Sequence, residues 1–169
     1  MYGTAAYPQG VEATFDNEVV DDVISAVRLV KSLPEIDSAR VYVLGHSLGG
    51  MLVPRIAQRA GEGCLGGIIS LAGPVRKMEQ LLTEQMTYIS SLSGTQPDVK
   101  AAVEQVMNSL PESYRKMETE YQPVEVARML KLPFLVLQGE RDYQFFKSSI
   151  SFPSCISLSI AFCNDSFNL

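Results

Sequence analysis

Apolar residues fall three and four apart through residues 16–33, where Val19, Val20, Val23, Ile24, Val27 and Val30 share one side and Asp21, Asp22, Arg28 and Lys31 lie between them. That period predicts an amphipathic helix, which Pro34 ends. Residues 39–44 form a short apolar and β-branched run closed by Gly45, and read as a buried strand. Residues 48–60 return to helical spacing. Pro54 lies inside that helix and has no N–H to give the carbonyl of Gly50, so a kink is expected in the first turns. Two further apolar runs, residues 67–72 and 134–137, end at Gly73-Pro74 and at Gln138-Gly139 and predict two more strands. Helix, strand, helix, strand and later strand is the order of an α/β fold, a parallel sheet of three or four strands with helices on both faces.

Roughly sixty residues separate the second strand from the third, far beyond an ordinary connection. Their spacing predicts helices at residues 77–92, 97–110 and 124–130, an inserted helical lid occupying about 74–131. Met78, Met86, Met107 and Met117 with Tyr88 and Tyr114 either line an apolar pocket there or are plain core, the commoner fate of such residues at helical spacing. Beyond Lys147 the pattern changes abruptly: residues 148–164 carry no charge and are crowded with Ser, Phe and Ile. Residues 1–147 are therefore taken as the patterned domain and 148–169 as an atypical tail, truncated or frame-shifted, in which residues 155–160 alternate as a one-sided strand would.

A length of 169 residues with 46% apolar content suits one domain. The formal charge of -5, with no basic cluster longer than Arg76-Lys77, speaks against nucleic acid or anionic lipid as partner. Pro153 and the many hydroxyls make the tail a poor membrane span, and no basic segment followed by an apolar run opens the chain, so a cytoplasmic protein is expected. Cys64, Cys155 and Cys163 show no C-x-x-C pair and read as reduced thiols, Cys64 within the core. With a single histidine besides, no metal and no cofactor are expected.

The candidate chemistry lies at Gly45-His46-Ser47-Leu48-Gly49, a G-x-S-x-G with a strand before it and a helix after it. A sharp turn there projects a serine hydroxyl, Gly45 and Gly49 avoid collisions around it, and the backbone amide of Leu48, opening the helix, faces a developing oxyanion. A phosphate cradle would need G-x-G-x-x-G or a lysine after Gly50, and neither is present.

Residues 41–50 resemble the elbow of the α/β-hydrolase family, in particular its bacterial esterase, dienelactone-hydrolase-like and serine-aminopeptidase-like members. The segment running from Phe134 through Gly139-Glu140-Arg141-Asp142 is similar to the turn that carries the acid of that family's triad, with Asp142 at the matching position. The likeness covers about residues 11–144. It implies a partial α/β-hydrolase fold and a serine hydrolase acting on a small-molecule ester, amide or related acyl bond through an acyl-enzyme on Ser47. Glu140, two residues from Asp142, is read as a solvated neighbour rather than a second acid. The family places its histidine after the acid, and none follows Asp142. His46, the single histidine, sits beside Ser47 and should diverge from its hydroxyl. Only fifteen or so residues precede the first helix, so the loop giving the second oxyanion amide is expected to be missing. An impaired or inactive enzyme follows, with a non-catalytic hydrolase-fold fragment or binding module as the alternative. Strands missing on both sides would leave sheet edges open to self-association.

Overall fold

Three parallel strands and one short antiparallel strand order the molecule. The structure, a computed structural model, describes residues 12–94, 97–139 and 161–162. A π-helical turn, Asp16–Val20, runs directly into α1, Asp21–Lys31, which buries Ile24 and Val27. A 3-10 turn at Ser38–Arg40, capped by the Asp37 carboxylate accepting from the Ala39 amide, leads into β1, Tyr42–His46. Then follow α2, Leu48–Ala60, and β2, Gly67–Leu71. Four helices come next, α3 Met78–Ser93, α4 Val99–Ser109, α5 Glu112–Glu120 and α6 Pro123–Met129. After them come β3, Phe134–Leu137, and β4, Ala161–Phe162.

The sheet order is β1-β2-β3-β4. β1 and β2 pair in parallel with Val43 opposite Ile68, β2 and β3 in parallel with Ile68 opposite Phe134, and β4 adds antiparallel with Val136 opposite Ala161. The helix, strand and parallel-sheet order read from the sequence is therefore present. The expected alternating strand at residues 155–160 lies outside the described residues, as do Cys155 and Cys163.

Two expectations, on the sheet and on the insertion, need correction. β1 is not buried on both faces: Val43 and Gly45 face α2, but Tyr42 is 54% and Leu44 58% exposed. The same uncovered face continues to Leu71, because parallel pairing keeps registered residues on one side and His46 is paired with Leu71. Among the described residues, no helix covers this face. The insertion holds four helices rather than three. The residues of α5 carry no continuous apolar stripe: Tyr114 and Met117, three apart, pack against the core beside the buried Ser113. Tyr114 meets the ring of Phe15 edge-on, with centroids 4.6 Å apart.

The second half of the insertion belongs to the core as much as to any lid. Tyr121 and Ala127 are buried with Leu52, Val53 and Ile56 of α2. α3 is peripheral: it buries no residue, and Tyr88 is largely exposed, while Met78, Met86 and Met107 are half-buried. Its start is tied down by the Arg76–Glu84 ion pair and by the Glu118 carboxylate, which accepts from the Met78 amide at 2.6 Å where the helix dipole favours an anion. Cys64 packs half-buried against the core, not inside it. Among the described residues no helix is long and apolar enough to cross a membrane.

Charge fixes the N-terminal helix to α2. Arg55 grips both carboxylate oxygens of Asp16, the Nη2–Oδ2 bond measuring 2.7 Å, while Arg59 reaches Asp16 at 2.9 Å and Asp21 at 2.7 Å. The Arg55 hydrogen bonds hold the Asp16 carboxyl below the usual carboxylate range, against the opposing effect of burial. A lowered folded-state value means that the pair stabilises the fold above the unfolded value of about 3.9 and that this contribution is lost as pH falls through the folded value. Asp16→Asn is expected to cost about 1–2 kcal/mol at neutral pH. In denaturant titrations the gap to the parent should narrow below about pH 4; a gap independent of pH would contradict an ionised pair.

Candidate active site

Ser47 occupies the junction between β1 and α2 with φ 54° and ψ −118°, a backbone conformation that L-residues adopt only under constraint. The constraint is visible on both sides. The Ser47 amide donates to the carbonyl of Leu71 at the end of β2, 2.9 Å away, and the Ser47 carbonyl accepts from the Met51 amide at 3.0 Å, starting the helix. Its side chain makes no capping bond to that helix, so the hydroxyl is not committed to its own backbone. Ser47 is half-buried and Leu48 beside it is exposed. The Leu48 amide belongs to the first turn of α2, where N–H groups have no intrahelical acceptor and the dipole favours negative charge.

The glycines explain how strand and helix come so close. A Cβ built on Gly45 would lie 2.2 Å from the Gly49 carbonyl oxygen, an impossible contact. At Gly49 an added Cβ meets nothing within 4 Å, so the steric demand falls on Gly45 and not equally on both. Two glycines not singled out from the sequence matter as much: a Cβ on Gly50 would meet the Cα of Gly73 at 2.8 Å, and one on Gly73 the carbonyl carbon of Gly50 at 2.5 Å. The first turn of α2 thus lies backbone to backbone on the loop leaving β2. Ala72, in that loop, also takes positive φ (49°), and its amide donates to the Leu137 carbonyl at 2.9 Å.

His46 ends β1 on the uncovered face of the sheet, opposite the face on which Gly45 meets α2. Because β1 and β3 run parallel, the chain leaves β3 at the same edge of the sheet that carries Ser47. In open α/β sheets ligands bind beyond that carboxyl edge. Asp142 follows Leu137 by five residues and, with Glu140, lies outside the described residues. Two surface depressions, one at Gly61, Leu65 and Met129 and one at Arg55, Met117 and Tyr121, do not include Ser47. Among the described residues no three His, Cys, Asp or Glu side chains form a group able to hold a metal.

Ser70 and Tyr121 escaped the sequence reading. Ser70 is buried and its hydroxyl donates to the carbonyl of Gly50 at 3.0 Å, and the Tyr121 hydroxyl donates to the carbonyl of Met51 at 2.7 Å. Burial pushes the Tyr121 phenol upward, the Arg55 backbone amide and guanidinium opposing it, so it stays a donor at any ordinary pH. The guanidinium carbon of Arg55 lies 5.7 Å from its ring centroid. The signal for Ser70 was half present: Pro54 announced an unserved carbonyl at Gly50, but only the fold brings the donor.

The sequence profile of the prolyl oligopeptidase family matches residues 2–152. Esterase EstD of Thermotoga maritima is 33% identical over 148 residues, covering 78% of this chain and 34% of the relative. The chain thus spans about a third of the length of the curated relative it matches. A solved esterase of Pyrococcus furiosus is similar in structure with a TM-score of 0.50 at 16% identity, over 75% of this chain and 43% of that one, a likeness in fold.

The asymmetry at the junction makes a sharp expectation. Gly45→Ala should cost about 2–4 kcal/mol by forcing the strand off the helix, whereas Gly49→Ala should be neutral or gain up to about 1 kcal/mol from helix propensity. Urea unfolding of both variants checks this; equal losses would mean that the close approach is not as described.

Proposed function

The chain belongs to the prolyl oligopeptidase family, within the α/β hydrolases, and from that premise we propose that Ser47 is the nucleophile of a hydrolase acting on small-molecule esters or related acyl compounds. The observation that carries the reading is the strained Ser47 backbone at a strand-to-helix junction, with a hydroxyl that caps nothing. In the proposed reaction the Ser47 oxygen attacks the acyl carbonyl carbon as its proton passes to solvent, the carbonyl oxygen becomes an oxyanion beside the Leu48 amide, and the leaving group departs with a proton taken from solvent, giving an acyl-serine that water hydrolyses to the acid and free Ser47. Asp142, five residues after Leu137 in the sequence, is proposed as the acid that would orient a histidine. The insertion, residues 74–131, is proposed as a lid, its mobile part confined to α3 and α4 because Tyr121 and α6 are anchored in the core. Esters are favoured over peptides because the relative that is 33% identical is an esterase.

One observation favours a weaker or non-catalytic role. Proton transfer from Ser47 needs a base, and the histidine of this chain, His46, stands on the other face of β1. Without that base only oxyanion and binding effects remain, about 10³–10⁴-fold over water in well-studied serine proteases. Of the two sheet edges expected to be open, that of β3 carries β4, but among the described residues the outer edge of β1 is unpaired, and with the bare face beside it this supports association of chains.

p-Nitrophenyl butyrate should therefore be hydrolysed slowly, with the residual rate lost in Ser47→Ala and retained in His46→Ala. Fast turnover that needs Ser47 but not His46 would mean another group supplies the base, and turnover surviving Ser47→Ala would place the chemistry elsewhere. The same preparation, passed through size exclusion with light scattering at low micromolar concentration, should elute as dimers or larger; a monodisperse monomer would contradict association.

A further inference from the structure

Pro54 sits on the buried side of α2 and cannot donate to the carbonyl four residues before it, that of Gly50. Buried backbone carbonyls are nearly always paired, and this one is paired from outside the helix, by the Ser70 hydroxyl at 3.0 Å. The next carbonyl, that of Met51, accepts the Tyr121 hydroxyl at 2.7 Å. Ser70 belongs to β2 and Tyr121 to the junction of α5 and α6, so two separate elements insert hydroxyls into consecutive positions of one helical turn. That turn is the one that follows Ser47. It supplies the Leu48 amide, it accepts the backbone contact of Gly73, and its first ladder bond runs from Met51 to Ser47 itself.

We propose that Ser70 and Tyr121 are positioning residues whose hydroxyls splint the proline-opened first turn of α2 and thereby hold the Ser47 junction in place. Ser70 locks the turn to β2, whose last carbonyl already receives the Ser47 amide. Tyr121 locks it to the far end of the insertion, so that the placement of the insertion and the geometry at Ser47 are tied through one phenol. Ordinary satisfaction of two buried side chains would need only any acceptor; the choice of the carbonyl that proline orphans, and of its neighbour, is what a splint requires. The bearing on catalysis rests on Ser47 being the nucleophile, but the splint itself does not.

The test is backbone amide exchange, followed residue by residue on the full chain. In Ser70→Ala the amides of Met51, Leu52 and Val53 should exchange at least about tenfold faster, as expected for a buried carbonyl left without its donor, with Ile56–Ala60 and α1 little changed. Tyr121→Phe should act on the same turn while keeping its ring in the core. Rescue separates a splint from general support: Pro54→Ala restores an N–H to the Gly50 carbonyl, so in that background Ser70→Ala should change exchange by less than about threefold, whereas Tyr121→Phe should keep its effect. An increase spread evenly over the molecule, or an effect of Ser70→Ala that is the same with and without Pro54, would overturn the proposal. If Ser70→Ala alone does not fold, a folded Pro54→Ala/Ser70→Ala chain gives the same support and an unfolded one refutes it. Because exchange needs no reaction, the outcome stands apart from whether Ser47 is ever acylated.

Discussion

Backbone meets backbone at one point of this fold, and the rest is arranged around that meeting. Gly45 of β1 lies against Gly49 of α2, and Gly50 of α2 lies against Gly73 beyond β2, at separations that leave no room for a Cβ at Gly45, Gly50 or Gly73. Such proximity forces the chain to reverse between β1 and α2 within a single residue, and Ser47 absorbs the reversal by taking a positive φ. Strain of this kind costs on the order of 1–3 kcal/mol and persists only where the surroundings over-determine it. Here they do so through the Ser47–Leu71 bond, the Ser70–Gly50 bond and the buried packing of Leu52, Val53 and Ile56.

α2 is accordingly the member that everything else holds. From the N-terminal side Asp16 and Asp21 grip Arg55 and Arg59; from the insertion Tyr121 reaches the Met51 carbonyl while its ring lies beneath Arg55. The side of the sheet away from α2 receives no comparable support among the described residues, and Tyr42 and Leu44 stand exposed there. Among the described residues, Ser47 thus sits on a well-braced turn of a sheet covered on one side.

Much of this was legible in the residues. Apolar runs at 41–44, 67–72 and 134–137 mark the parallel strands because burial of strands leaves a local signature, and G-x-S-x-G between a strand and a helix marks the turn because its sterics are local too. What failed to show depends on distance along the chain. α5 was missed because two core contacts, Tyr114 and Met117, suffice to dock a helix that otherwise looks wholly solvated. The bare face of β1 was missed because Tyr42 and Leu44 read as buried, and only the fold reveals that nothing described lies over them. Gly49 was given a collision that belongs to Gly45, since a motif names small residues without saying which backbone approaches which. Pro54 declared an orphaned carbonyl at Gly50, but its partner, Ser70, is twenty residues away.

The claim on which the functional account turns is that the hydroxyl of Ser47 is presented as a nucleophile. Incubating the folded chain, its fold checked by circular dichroism, with a fluorophosphonate and locating the adduct by tandem mass spectrometry tests it most directly. The account predicts a slowly formed phosphonate ester on Ser47 and none in Ser47→Ala. A folded chain that stays unmodified over hours, or that carries the adduct on a different serine, would contradict it.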